Sequence, residues 1–167
     1  MAYITLYIRD INGIVPAYIL RMPPNPSLLL IDDSLGEREL FREALIRTEL
    51  EVALFVEQDA EAALRFLIHR ASLGLLPSVI LLDWHLRRRG GDEFLRQLRA
   101  HPGVATIPVV VLSTSDSVVD VSAAYSHGAN AYVVKPDTFD ELVRCVQAIC
   151  RFWVSCNVSP RLIESRC

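Results

Sequence analysis

What the chain lacks narrows it first. Its formal net charge is −3, so no broad basic face exists and nucleic acid is not the expected partner. No apolar run is long enough to span a bilayer, so no membrane attachment is expected. The N-terminal MAYITLYIRD has no basic residues ahead of its apolar ones, unlike a secretory signal. Cysteine is sparse: Cys145, Cys150, Cys156 and Cys167 all fall in the C-terminal quarter, and no two form a CxxC pair. That pattern fits neither a zinc knuckle nor a disulfide scaffold. Reduced core or tail thiols in a cytoplasmic protein are expected instead.

What is present suits one ordinary globular domain. The chain has 167 residues, 51% hydrophobic and 22% charged, enough to bury its own core. From Ser27 onward, short apolar runs alternate with helical patterns. The runs are LLLID (28–32), EVALFVE (51–57), VILLD (79–83), IPVVVLS (107–113) and AYVV (131–134). Between them lie helical stripes: Phe41, Ala44, Leu45 and Thr48, then Ala60, Ala63, Leu64 and Leu67, then Phe94, Leu95 and Leu98. The segment 117–128 reads as a fourth helix stopped by Gly128. Leu142, Val146, Ile149 and Trp153 mark a fifth. Ser34 with Glu37, and Thr138 with Glu141, have the spacing of capping boxes, and Asp59 is a third helix cap.

Apolar runs without polar alternation are strands buried on both faces. Five of them alternating with five helices predict an α/β fold, a doubly wound parallel sheet with helices on both faces. Such sheets bind ligands beyond the carboxyl ends of their strands, where strand order reverses. Residues 1–26 stand outside this rhythm. Residues 1–21, with a turn at Asn12-Gly13, read as an extension not needed for the fold, and MPPNPS (22–27) as a Pro-rich linker. Residues 27–155 form the domain and 156–167 a tail.

The polar residues at the strand ends are Asp32 and Asp33 after the first strand, Asp83 at the end of the third, Ser113 and Thr114 at the fourth, and Lys135 after the fifth. In a parallel sheet these ends share one edge. Three carboxylates there repel one another unless protons or a cation intervene. A hard divalent cation with oxygen ligands, Mg²⁺ above all, answers that need. Lys135 offsets further negative charge, and a carboxylate is itself a nucleophile toward phosphorus. Singly, each residue has a plainer reading: a helix cap for Asp32 or Asp33, a loop cap for Asp83, a strand-end hydroxyl for Ser113, a solvated lysine for Lys135. Their joint placement at four strand ends favours a site.

The pieces LLLIDDS, VILLDWHL…GG, PVVVLSTS and GANAYVVKP resemble the receiver domain of two-component response regulators, over about residues 27–152. The resemblance implies the flavodoxin-like strand order 2-1-3-4-5. It implies that Asp83 is the phosphoacceptor, loaded by a histidine kinase or a histidine phosphotransfer domain. Asp32 and Asp33 then hold Mg²⁺ with Asp83 and the backbone carbonyl of His85. Ser113, with Thr114 beside it, matches the switch hydroxyl, Lys135 the lysine that pairs with the phosphoryl group, and Tyr132 the aromatic switch. A cis peptide is implied before Pro136. His85 and Ser115 fall at positions that tune dephosphorylation. Phosphorylation then shifts the face formed by the fourth helix, fifth strand and fifth helix. No catalysis beyond self-directed phosphotransfer and dephosphorylation is implied.

Little sequence follows the fifth helix, so a stand-alone receiver is expected. VVVLSTSD and RFWVSCNVSP are further similar to small regulators that work with phytochrome-type kinases, which often dimerise through that face or through C-terminal arms. Phe152 and Trp153 either anchor such a homodimer or close the bottom of the core. The loop LRRRGG departs from the family, with Arg87 where proline is usual and two glycines adding freedom. Arg87, Arg88 and Arg89 either steer an acidic partner or form a solvated loop. Two other readings compete. A haloacid-dehalogenase-type phosphohydrolase also uses an aspartate nucleophile, but wants a second aspartate where His85 stands. A receiver-like interaction module that ignores phosphate would not need the intact site. A dinucleotide or flavin role lacks a Gly-rich loop after the first strand.

Overall fold

A computed structural model describes residues 26–86 and 90–158. The Asn12-Gly13 turn, the arginines 87–89 and Cys167 lie outside the described residues. Five strands and five α-helices alternate: β1 (Ser27–Ile31), α1 (Leu35–Arg47), β2 (Ala53–Glu57), α2 (Ala60–Ser72), β3 (Val79–Asp83), α3 (Gly91–Ala100), β4 (Val109–Ser113), α4 (Val118–Ser126), β5 (Ala131–Val134) and α5 (Phe139–Cys150). A single π-helical turn, Arg151–Cys156, continues α5. Among the described residues no helix is long and apolar enough to cross a membrane.

All pairings are parallel, in the order β2-β1-β3-β4-β5. The two-residue side-chain period of a strand divides each apolar run between two cores. Leu29, Ile31, Ile80, Leu82, Val109 and Val111 face one side, against Ala63 and Leu67 of α2, Phe94 and Leu98 of α3, and Ala124 of α4. Leu28, Leu30, Val79, Leu81, Val110 and Leu112 face the other, against Phe41 and Leu45 of α1 and Val146 and Ile149 of α5. Cys150 sits in this second core, where burial pushes its thiol up to about 12. Trp153 packs at the margin of the same core, while Phe152 is exposed.

The Asp59 cap forms, but of each capping box only the forward half does: the Ser34 N–H goes to Asp32 Oδ1, and Glu37 turns to Lys135 rather than back to Ser34. Ser34, Asp59 and Thr138 side chains accept from the backbone N–H of Glu37, Ala62 and Glu141. Gly128 ends α4 with φ +94°, a left-handed conformation that suits glycine. Gly91 has a different role from the added loop freedom expected of the two glycines. It is buried at the start of α3, and a Cβ there would lie 2.8 Å from Trp84 Cε3 and 3.2 Å from the Trp84 backbone. It is small because α3 must approach the residue that follows Asp83.

Candidate functional site

Strand register assembles the site. Ile31 pairs with Leu82, so Asp32 emerges beside Asp83. Asp83 pairs with Leu112 and Ser113 with Val134, which brings Ser113 and then Lys135 to the same edge. This edge lies at the reversal of strand order, with β2 on one side of β1 and β3 on the other.

Carboxylate oxygens of Asp32, Asp33 and Asp83 all lie within 4.8 Å of one another. An all-oxygen, all-anionic donor set of this size fits a hard divalent cation. Local bonds fix the members. Asp32 Oδ1 accepts from Ser34 N at 2.8 Å, and Arg38 Nη1 donates to the Asp32 carbonyl at 2.8 Å. Lys135 Nζ lies 3.1 Å from Asp32 Oδ2 and 3.4 Å from Asp83 Oδ1.

Burial first, and then the neighbouring charges, set how the group titrates. Burial pushes the Asp83 carboxyl above its ordinary value, Lys135 pulls it back, and Asp32 pushes it up again. Asp32 is likewise raised by burial, against the pull of Lys135 and the Ser34 amide. Lys135 is pulled down by burial, yet Glu37, Asp32 and Asp83 together hold it above its ordinary value. Lys135 therefore keeps its proton, while burial makes Asp32 and Asp83 hold theirs more tightly than usual despite the ammonium beside them.

Most residues singled out from the sequence converge here. Ser113 is fully buried, and its Oγ accepts from Ser115 N at 3.1 Å and meets His85 Nδ1 at 3.3 Å. Tyr132 packs against the core on the α2–α3–α4 side and donates its hydroxyl to the Ser115 carbonyl at 2.9 Å. Thr114 does not join them; it is exposed. One expectation is corrected. Among the described residues no peptide bond is cis, so the bond before Pro136 is trans. An X–Pro bond favours trans by roughly 0.5–1 kcal/mol unless its surroundings select the other isomer, and Lys135 reaches both aspartates without it.

Two acidic residues at the site were not read from the sequence as members. Glu37, expected only as a capping partner, pairs its carboxylate with Lys135. Asp120, in the first turn of α4, accepts from Ser115 Oγ at 2.6 Å and lies 3.6 Å from His85 Nε2. The signal available was position: in a parallel sheet the helix following each strand starts at the strand's carboxyl edge, so first-turn acids of α1 and α4 border the crevice.

Comparison with known proteins agrees with this geometry. Residues 28–147 match the family described as response regulator receiver domain. The chain is 36% identical over 134 residues to the probable methanogenesis regulatory protein FilR2 of Methanothrix harundinacea, covering 80% of this chain and 86% of that one. It is 33% identical over 139 residues to the response regulator Rcp1 of Synechocystis, covering 82% and 95%. The Mn²⁺-bound structure of Rcp1 superposes with a TM-score of 0.70 at 33% identity, over 81% of this chain and 99% of that one. The phosphorylated cyanobacterial phytochrome response regulator RcpA superposes at 0.73 with 29% identity, over 81% and 99%. The sheet order, the acidic crevice and these matches agree: the chain belongs to the response regulator receiver domain family.

Proposed function

We propose that residues 27–155 form a receiver that accepts a phosphoryl group on Asp83 from a phosphohistidine of a kinase or phosphotransfer domain. The observation that carries this is the cluster itself: Asp83 among Asp32 and Asp33, with Lys135 3.4 Å from its oxygen. An Asp83 oxygen attacks phosphorus, the P–N bond of the donor breaks, and its electron pair returns to the imidazole nitrogen, which takes a proton from water. Hydrolysis reverses the load: water attacks phosphorus, the P–O bond breaks, and Asp83 and inorganic phosphate are released.

Asp32, Asp33, Asp83 and the His85 carbonyl are the groups that would hold Mg²⁺, which supplies positive charge against the transferring oxygens. Lys135 pairs with the phosphoryl group, and Ser113 donates its hydroxyl to it. Ser113 leaves its present partners to do so, and the Ser115 carbonyl that holds Tyr132 moves with it. The face of α4, β5 and α5 thereby reports the phosphoryl group to a partner or a second copy of the chain. Val118, Val119 and Val134 on that face are exposed, as a contact surface requires. His85 and Ser115 set how long the phosphoryl group lasts, and the cytoplasm is the compartment where such a donor works.

The test is incubation with acetyl phosphate and Mg²⁺ followed by intact-mass measurement. One added phosphoryl mass is expected, lost with EDTA and lost in Asp83→Asn. Phosphorylation persisting in Asp83→Asn would reject the assignment.

A further inference from the structure

The hydrogen bonds around Ser113 have a direction that can be worked out. Asp120 is an acceptor, and it takes the Ser115 hydroxyl proton at 2.6 Å. Its carboxylate also faces His85 Nε2 at 3.6 Å, too long for a hydrogen bond but close enough to act as a charge. A carboxylate there favours the His85 tautomer that carries its proton on Nε2. Nδ1 is then a lone pair. The Ser113 hydroxyl, 3.3 Å away, is therefore the donor of this pair, while a lone pair of the same oxygen accepts from the Ser115 N–H. The result is a directed chain from α4 through His85 to the switch hydroxyl.

We propose that Asp120 is a positioning residue: it orients the His85 ring so that the Ser113 hydroxyl proton is committed to His85 until a phosphoryl group on Asp83 takes it. A hydroxyl has one proton, so the two acceptors compete. The unphosphorylated arrangement is thereby held by α4 itself, the element that must respond. This rests on the phosphoacceptor reading above. It adds that the resting state is latched by a residue outside the family's site positions, and that the latch weakens the capture of phosphoryl.

Beryllofluoride with Mg²⁺ stands in for the phosphoryl group in the test, with affinity read from tryptophan fluorescence of the full chain, Trp84 being next to Asp83. Asp120→Ala and His85→Ala are each expected to bind about two- to tenfold more tightly, the usual worth of one competing hydrogen bond. Asp120→Ala should add nothing in the His85→Ala background. Equal effects of Asp120→Ala with and without His85 would mean that Asp120 acts only on α4, and would overturn the latch, as would unchanged or weaker binding in both single variants. A second readout needs no phosphoryl mimic. Nitrogen-15 spectra of unphosphorylated wild type should show His85 protonated at Nε2 alone; a proton on Nδ1 overturns the latch. Failure of wild type to bind beryllofluoride strikes the phosphoacceptor reading instead, and the tautomer still decides the latch.

Discussion

At the scale of single residues, the crevice is a place where the fold works against itself. Asp32 and Asp83 are buried near each other, and burial holds both carboxyls above their ordinary values. The folded chain therefore binds those protons more tightly than the unfolded chain does. Their contribution favours folding below the ordinary carboxylate range and is lost as pH rises through the raised values. Lys135, also held above its ordinary value, follows the same sign at higher pH: its contribution is full below the ordinary lysine value and is lost as pH rises through the raised one, so at neutral pH it still favours folding. Among the described residues, Lys135 is the ammonium that Asp32, Glu37 and Asp83 share. Asp83→Asn is therefore expected to stabilise the metal-free protein at neutral pH by about 1 kcal/mol. Urea denaturation in EDTA checks this. Saturating Mg²⁺ should erase the advantage, because a cation removes the repulsion that the substitution relieves. A variant less stable than wild type in EDTA would contradict the account. These members were legible in the sequence because a parallel sheet turns strand-end identity into spatial convergence. Glu37 and Asp120 were not, because their roles depend on which way a flexible side chain turns once the helix is seated.

At the scale of elements, the strands, caps and helix stops were readable from local chemistry. What was not readable is how neighbouring elements are tied. Arg99, near the end of α3, is the clearest case. Its guanidinium donates to the carbonyls of Gly128 (2.6 and 3.1 Å), Ala105 (2.8 Å) and Ile107 (2.9 Å), and to Asn130 Oδ1 at 3.1 Å. Asn130 Oδ1 also accepts from Val109 N at 2.8 Å, the first residue of β4. One side chain thus ties α3, the approach to β4 and the turn between α4 and β5. In sequence it is one arginine among many, and its partners are backbone atoms, which carry no residue code. Arg99→Ala should cost about 2–3 kcal/mol by leaving carbonyls without a donor. Arg99→Lys should recover less than half of this, since an ammonium cannot span the same fan of acceptors. Full recovery by lysine, seen as an unchanged urea midpoint, would mean that charge rather than the planar fork matters.

For the whole molecule, the sequence left open whether Phe152 and Trp153 face a second copy or the core. The π-helical turn after α5 separates them. Trp153 leans on the core shared by α1 and α5, and Phe152 remains 54% exposed, its ring edge-on to Trp153 at 4.8 Å. A helical pattern places neighbours on different faces but cannot say where a turn widens, so this division was not legible beforehand. Trp153→Ala is expected to lower stability by about 2 kcal/mol, and Phe152→Ala to change it by less than about 0.5. Thermal unfolding of both variants decides between the roles; a large loss at Phe152 would reverse the assignment.

The parallel sheet has one more consequence. β1 begins about 17 Å from the crevice, the length of a five-residue strand, and α5 starts near the crevice and runs back about 18 Å over its twelve residues. The domain is therefore entered and left on its floor, while its chemistry sits on its roof. The start of β1 and the end of α5 lie on the side of the sheet away from Asp83, and the carboxyl edge of the strands is free of both.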